Sequence, residues 1–343
     1  MPLKTITPRT ALVTGANGEM GHLLLPALRD RGYEVVAVDL QPMASCIAGS
    51  CKQTVVGSVV QPSLMADLFR EHAPHAVFHL AALLSSKAER DPDLAHDVNV
   101  SATLNLFRLC REQARTLGHD VRFHFPSSIA VYGIPDAAAK VAAGAVKEDE
   151  WNKPAGMYGC NKLYGEMIGS YFTARAQKDG TPGLDFRAIR FPGLISADTL
   201  PSGGTSDYAP EMIHAAAQGK PYACFVAAET RMPFMTMPDA VGAILRLDQA
   251  PADRLTTRVY NIGAFAPSAD DIKSAVLHHF PDAHITFAPV PWRQAIVDTW
   301  PAAVNDEKAR RDWGHAPRHR LTEAMSEYLV PALVKRYADR VVN

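Results

Sequence analysis

The chain has 343 residues, 47% of them apolar and 21% charged, enough to bury a core without disulfides or metals and too apolar to stay disordered. Lys and Arg total 35 against 36 Asp and Glu, a net charge of −1, and no basic stripe marks a nucleic-acid or anionic-membrane partner. No apolar run reaches the roughly 18 residues of a membrane helix.

In chain order, Ala11 to Thr14 reads as a buried strand and Glu19 to Arg31 as a helix stopped by Gly32. Strands follow at Glu34 to Asp39 and Gln53 to Val56, then a helix at Ser63 to His72 and a strand at Ala76 to Leu80. A long amphipathic helix is expected over Leu94 to Leu117, a strand at Arg122 to Pro126, a second long helix at Met157 to Ala176 and a strand at Asp185 to Arg190. Apolar strands alternating with helices predict an α/β, doubly wound parallel sheet of the Rossmann kind. Gly133 to Gly156 is long for a connection, so it is either a short extra helix or a lid. Its Lys147-Glu-Asp-Glu150 run reads as solvated surface. After about Pro192 glycine and proline increase, and two short strands (Arg258 to Ile262, His284 to Phe287) mix with helices at Tyr208 to Gln218, Ser268 to His279 and Leu321 to Tyr337. The expected division is 1–190 for the nucleotide-binding part, including the second long helix, and 191–343 mainly for a smaller substrate-binding part intertwined with it.

Gly15, Gly18 and Gly21 form G-A-N-G-E-M-G between the first strand and the first helix. Glycines there permit a tight turn and let backbone N–H groups reach a pyrophosphate at the helix N-terminus. Asp39 ends the second strand 18 residues after the last glycine, near the usual offset of about 20. A carboxylate there accepts from ribose hydroxyls and repels a 2′-phosphate, which favours NAD over NADP.

Tyr158 and Lys162 lie one turn apart on a helix face. A nearby ammonium lowers a phenol's pKa and fits it to take an alcohol proton while hydride leaves the same carbon. Ser127 and Ser128 follow the fifth strand, at the crevice where such folds bind ligands. Asn99, in the first long helix, reads either as a water-bridging relay member or as a helix residue bonded to nearby backbone. His79 and His124 sit in strands and read as packed residues, and Met232, Met235 and Met237 as core or pocket lining. No His, Asp or Glu cluster has metal-ligand spacing, so no metal is expected.

These pieces resemble the extended short-chain dehydrogenases/reductases: TGANGEMG, Asp39, HLAA at 79–82, NVSATLNL at 99–106, SSIAVYG at 127–133, Tyr158 with Lys162, and RFPG at 190–193. RFPGLIS at 190–196, GGTSDYA at 203–209, TRMPFM at 230–235, RQAIVDTWP at 293–301 and RRDWG at 310–314 are similar to the short-chain-type L-threonine 3-dehydrogenases. The resemblance implies NAD-dependent oxidation of the 3-hydroxyl of L-threonine, or a close 2-amino-3-hydroxy acid, to the 3-ketone. It implies Tyr158 as general base, Lys162 as its activator and ribose ligand, and Ser128 orienting the hydroxyl. Cofactor contacts are expected from Gly15, Asn17, Gly18, Glu19, Met20, Gly21, Asp39, Leu40, Ser58, Leu80, Ala81, Ala82, Asn99, Tyr158, Lys162 and Leu194. Ser58 stands where many relatives have an adenine-binding acid. Substrate contacts are expected from Ser85, Ser128, Tyr158, Gly193, Thr205 and Trp300. Cys160 and Asn161, inside the Tyr-Lys spacing, are expected to face away.

The alternative reading is an NAD-dependent nucleotide-sugar epimerase or dehydratase, with Arg231 and Arg293 as candidate diphosphate ligands. A non-catalytic nucleotide sensor would be expected to lack Tyr158 or Lys162. The family's two long helices also imply a homodimer, with Met167, Ile168, Tyr171 and Phe172 on the second. The opening MPLKTITPRT lacks the apolar stretch of a secretion signal, and five cysteines without a Cys-x-x-Cys pair suggest free thiols in the cytoplasm.

Overall fold

Seven parallel strands form the central sheet: β1 (Arg9–Thr14), β2 (Tyr33–Asp39), β3 (Gln53–Val56), β4 (Ala76–His79), β5 (Val121–Ser128), β6 (Leu184–Phe191) and β7 (Val259–Asn261). The computed structural model describes residues 9–201 and 204–338. The opening segment 1–8, and Gly203 of the GGTSDYA stretch, lie outside them. The strand order is β7-β6-β5-β4-β1-β2-β3. From β1 the chain moves outward to β2 and β3, then crosses back to β4 on the other side. The ends of β1 and β4 therefore flank a switch point, where open parallel sheets bind ligands. Thr14 pairs in register with both Val38 and His79.

Apart from the edge strand β3, whose Thr54 and Val56 are exposed, the Val-, Phe- and Ala-rich strands are buried on both faces, as a covered parallel sheet requires. One face packs Leu24, Leu25 and Phe78 with Ile244 and Leu247. The other packs Leu106 and Phe107 with the ring cluster Phe123, Phe125 and Phe186. A third cluster, around Tyr208, Met232, Phe234 and Trp300, forms the C-terminal part and reaches back to Ile129–Tyr132 at the end of β5. Met235 and Met237 are buried against the sheet beside β6.

Several expectations need revision. The strand near Arg258 to Ile262 is no scattered C-terminal piece: Val259–Asn261 hydrogen-bonds to β6 as the sheet's edge strand. Helix Met237–Gln249, opened by Thr236 accepting from Asp239 N with Pro238 in its first turn, covers one sheet face, although only sequence after 190 encodes it. The helix expected over Leu94 to Leu117 runs unbroken from Pro92, with a π turn at Asp97–Ser101 before its last part, α2 (Ala102–Leu117). The π turn carries Asn99. The last helix likewise contains a π turn, at Ala324–Leu329.

The 133–156 connection holds a short helix, Ala137–Ala143, but is no free lid. Ala145–Val146 pairs with Ala303–Val304 of the C-terminal part. Ile134 N donates to Thr299 O at 2.8 Å, and Gly133 N to Trp151 O at 2.9 Å. Nor is the charged run all solvated: Glu148 is 7% exposed, with Oε1 accepting from Asn261 N and Oε2 3.0 Å from Lys308 Nζ. The segment is a strap fixed at both edges.

Candidate active site

Gly15 closes β1 with φ +64°, and a Cβ there would sit 2.5 Å from Ala81 N at the end of β4. A side chain is excluded by both strain and space. Gly18 caps α1 (Glu19–Arg29), whose first N–H groups receive no side-chain cap, so the helix N-terminus is left for an anion. A Cβ on Gly21 would lie 1.9 Å from Ala16 O; glycine there lets α1 press onto the turn. Asp39 faces this turn: its Oδ2 accepts from Asn17 N at 2.9 Å and its Oδ1 from Gln41 N at 3.1 Å. Asn17 Oδ1 in turn accepts from Ala44 N. Leu40, 66% exposed, lies on the open side. Ser58 Oγ accepts from Val60 N and holds its own turn after β3. Glu19, in the first turn of α1, has its carboxyl pushed up to about 7 by burial and then by the Asp207 carboxylate.

α3 (Met157–Asp179) brings Tyr158, Lys162 and Glu166 to one face at successive turns. Lys162 is 4% exposed. Its Nζ lies 4.5 Å from the Phe125 ring centre and 5.5 Å from that of Tyr158. Burial holds its ammonium down to about 7, opposed by the Glu166 carboxylate. Burial pushes the Tyr158 phenol above its ordinary range. The resting pair is therefore a neutral phenol beside an amine poised near neutrality. Ser128, at the end of β5, accepts from Ala130 N at 3.1 Å, which leaves its hydroxyl proton for another partner.

Ser85 and Thr205, 120 residues apart, are brought together, with hydroxyls 2.9 Å from each other. The helix carrying Ser85, Ser85–Arg90, is tied to the start of α3 because Glu89 Oε1 accepts from Met157 N at 2.6 Å. Arg293 holds the other side: its Nη2 donates to Gly204 O at 2.7 Å. Gly193 opens a strand paired with Phe234–Thr236, where a Cβ would be 2.5 Å from the Phe234 ring, and places Leu194 beside it. Trp300, 6% exposed, packs in the C-terminal apolar cluster.

Asn99 is spent on structure. Its Oδ1 accepts from Leu83 N at 2.8 Å, and its Nδ2 donates to Leu83 O at 3.0 Å and Asn161 Oδ1 at 3.2 Å. It clamps the loop after Leu80, Ala81 and Ala82 onto α3. This corrects the expectation for Asn161, which is 4% exposed and faces inward to that clamp; Cys160 is exposed. His79 extends the network. Thr103 Oγ1 donates to Asn99 O, so it must accept from His79 Nε2, leaving Nδ1 to accept from Thr14 Oγ1 at 2.7 Å. Burial and then the Lys162 ammonium push His79 down to about 3, so it stays neutral. His124 bonds Asp248. Among the described residues no group of three His, Cys, Asp or Glu is placed to hold a metal.

Residues 11–263 match the NAD dependent epimerase/dehydratase family. The chain belongs to that family. It is 31% identical over 322 residues to the mitochondrial L-threonine 3-dehydrogenase of Bos taurus, covering 93% of this chain and 81% of that protein. It resembles two solved structures. One is a monomeric L-threonine 3-dehydrogenase from a metagenome, at TM-score 0.83 and 33% identity over 95% of this chain and 99% of that one. The other is the L-threonine dehydrogenase of Clostridium difficile, at TM-score 0.85 and 29% identity over 98% and 99%.

As an epimerase/dehydratase-family enzyme the protein uses NAD, and its residues fit that cofactor. The uncapped α1 N-terminus and the glycine cradle suit a pyrophosphate, and the Asp39 carboxylate at the end of β2 suits ribose hydroxyls. Sequence reasoning missed Glu166, Asn161 and Glu148 as site supports. Glu166 had a usable signal, since it continues the four-residue spacing from Tyr158 through Lys162.

Proposed function

We propose that this enzyme is an NAD-dependent dehydrogenase that oxidises the 3-hydroxyl of L-threonine, or a close 2-amino-3-hydroxy acid, giving 2-amino-3-ketobutyrate from threonine. The reading is carried by the Ser85–Thr205 hydroxyl pair, anchored to the head of the Tyr158–Lys162 helix. Two hydroxyls there suit the polar ends of a small zwitterion. NAD, when bound, supplies the hydride acceptor. Tyr158 takes the alcohol proton, and the Lys162 ammonium stabilises the phenolate that must form first. Ser128 donates to the reacting oxygen. Asn99, through Leu83, holds the loop of Leu80, Ala81 and Ala82, which with Gly193 and Leu194 would hold the bound cofactor.

The two arginines that are candidate ligands of a nucleotide-sugar diphosphate both have partners within the chain. Arg231 pairs with Asp271, and Arg293 stacks on Phe225 while donating to Gly204 O. This favours a small substrate over the epimerase or dehydratase reading. Purified protein with L-threonine and NAD is expected to accumulate NADH. NAD that co-purifies without exchange, with no NADH formed from any 3-hydroxy acid, would instead establish the epimerase reading.

We also propose a cytoplasmic homodimer. The five cysteines are free thiols, and no helix among the described residues is long and apolar enough to cross a membrane. Met167 and Tyr171 on α3 are 65% and 56% exposed, an apolar face suited to a second copy. A monomer in light scattering at micromolar concentration would remove the dimer.

A further inference from the structure

Further along the catalytic face of α3, beyond Lys162, lies a buried charge cluster with no direct part in hydride transfer. Glu166 and Arg190 have side chains 3% exposed. Arg190 Nε donates to Glu166 Oε1 at 2.9 Å and Nη2 to Oε2 at 2.6 Å, a bidentate fork. Ser127 Oγ, from the residue before Ser128, donates to the same Oε1. The guanidinium lies 4.9 Å over the Tyr132 ring, and its Nη1 donates to Glu148 O at 2.8 Å. Tyr132 hydroxyl donates to Asn261 Oδ1 at 2.7 Å, which brings in β7. One carboxylate therefore joins α3, the end of β5, β6 and the strap.

Burying such a pair costs desolvation and stabilises a fold little compared with apolar side chains of the same size. Its position explains more. Glu166 is one turn beyond Lys162, and it fixes the strand end that presents Ser128 relative to the helix that presents Tyr158. We propose that Glu166 is a positioning residue for the catalytic pair: its carboxylate ties the Ser128 strand to the Tyr158–Lys162 helix, and its charge favours the ammonium form of Lys162.

The charge argument follows from what surrounds Lys162. Tyr158 and Glu166 face it from its own helix, the Phe125 ring from β5 and His79 from β4, with Arg190 of β6 behind Glu166. His79 is neutral, and the Phe125 face favours a cation only modestly. Glu166 is the one anion among them. When the pair loses one proton, that proton can come from Tyr158 or from Lys162. Only the first outcome gives a phenolate beside an ammonium, and the Glu166 carboxylate favours it.

This proposal rests on the acid–base roles given to Tyr158 and Lys162, so its test uses a readout independent of threonine turnover. In the full-length enzyme labelled with ¹³C-lysine, the Lys162 ε-carbon is titrated by NMR in wild type, Glu166→Gln and Ser127→Ala. Glu166→Gln is expected to lower the Lys162 titration midpoint by about one pH unit or more. With threonine as substrate, the acid limb of kcat/KM moves down by a similar amount while kcat falls about tenfold, because the useful protonation state is depleted. Ser127→Ala keeps the charge and is expected to leave the midpoint in place. If Glu166→Gln fails to fold around an unpaired Arg190, Glu166→Gln with Arg190→Gln removes both charges and the midpoint still falls, by less. A midpoint and acid limb that stay at the wild-type values in a folded Glu166 variant would overturn the proposal. A moved midpoint in an enzyme that never oxidises threonine would overturn only the substrate.

Discussion

The cofactor side and the substrate side of the cleft are built by different means. The cofactor side is mostly backbone from one short stretch: a glycine turn with one positive φ, an uncapped helix end and, at the end of a strand, the Asp39 carboxylate, all within residues 9–39 apart from the close approach of Ala81. The substrate side is made of side chains delivered from far apart, Ser85 to Thr205 across 120 residues and Arg293 to Gly204 across 89. Local chain chemistry writes the first directly. The second exists only after the C-terminal part has folded over the sheet. Changes on the first side should therefore act on NAD and changes on the second on substrate, with Tyr158 on the catalytic helix between them acting chiefly on turnover.

The largest effect is expected at that helix. Tyr158→Phe removes the base while keeping the ring, and kcat for NADH formation should fall by roughly 10²–10⁴, with NAD affinity close to wild type. A fall in NAD affinity as large as the fall in kcat would mean that Tyr158 belongs to the cofactor side.

Gly15→Ala is next. The added methyl meets Ala81 N at 2.5 Å in a backbone conformation with φ +64°, and strain of this kind costs about 1–3 kcal/mol. Fluorescence titration should give an NAD Kd raised about tenfold to a hundredfold. The KM for threonine at saturating NAD should hardly move. If KM rises as much as Kd, the two sides are not separable.

Ser85→Ala is the converse. It leaves the buried Thr205 hydroxyl without its 2.9 Å partner, a loss of about 1–2 kcal/mol. The expected outcome is a KM about tenfold higher with NAD affinity unchanged. Thr205→Val should match it, and the double variant should cost little more than either alone, since both remove one bond. Full additivity would mean that the two hydroxyls do not act as a pair.

The same division explains what the sequence disclosed. The strands, the glycine turn, Asp39 and Tyr158–Lys162 are short-range patterns, and each stands within a few residues of its expected place. Asn161, inside the Tyr158–Lys162 spacing, is expected to face away; its inward bond depends on Asn99, 62 residues away, raised by a π turn that periodicity does not announce. Helix Met237–Gln249 carried a start signal, Thr236 with Pro238 and Asp239, masked by the apolar methionines around it. β7, three residues long, is expected as a strand, but nothing within so short a run says that it joins the central sheet as an edge strand.

The strap at 133–156 is where the two sides meet, and it carries the smallest expected effect. Read from sequence alone, KEDE is solvated surface. In the fold Glu148 receives Asn261 N and Lys308 and lends its carbonyl to Arg190. Glu148→Gln keeps the shape and the bond from Asn261 N but removes the charge opposite Lys308. Because Lys308 is partly exposed, at 36%, that charge is worth about 1 kcal/mol or less. Thermal denaturation should show Tm lower by about 1 °C, with kcat and both affinities near wild type. A strap that closed over substrate would give the opposite pattern, an unchanged Tm and a raised KM. The strap would then belong to the substrate side instead of joining the two.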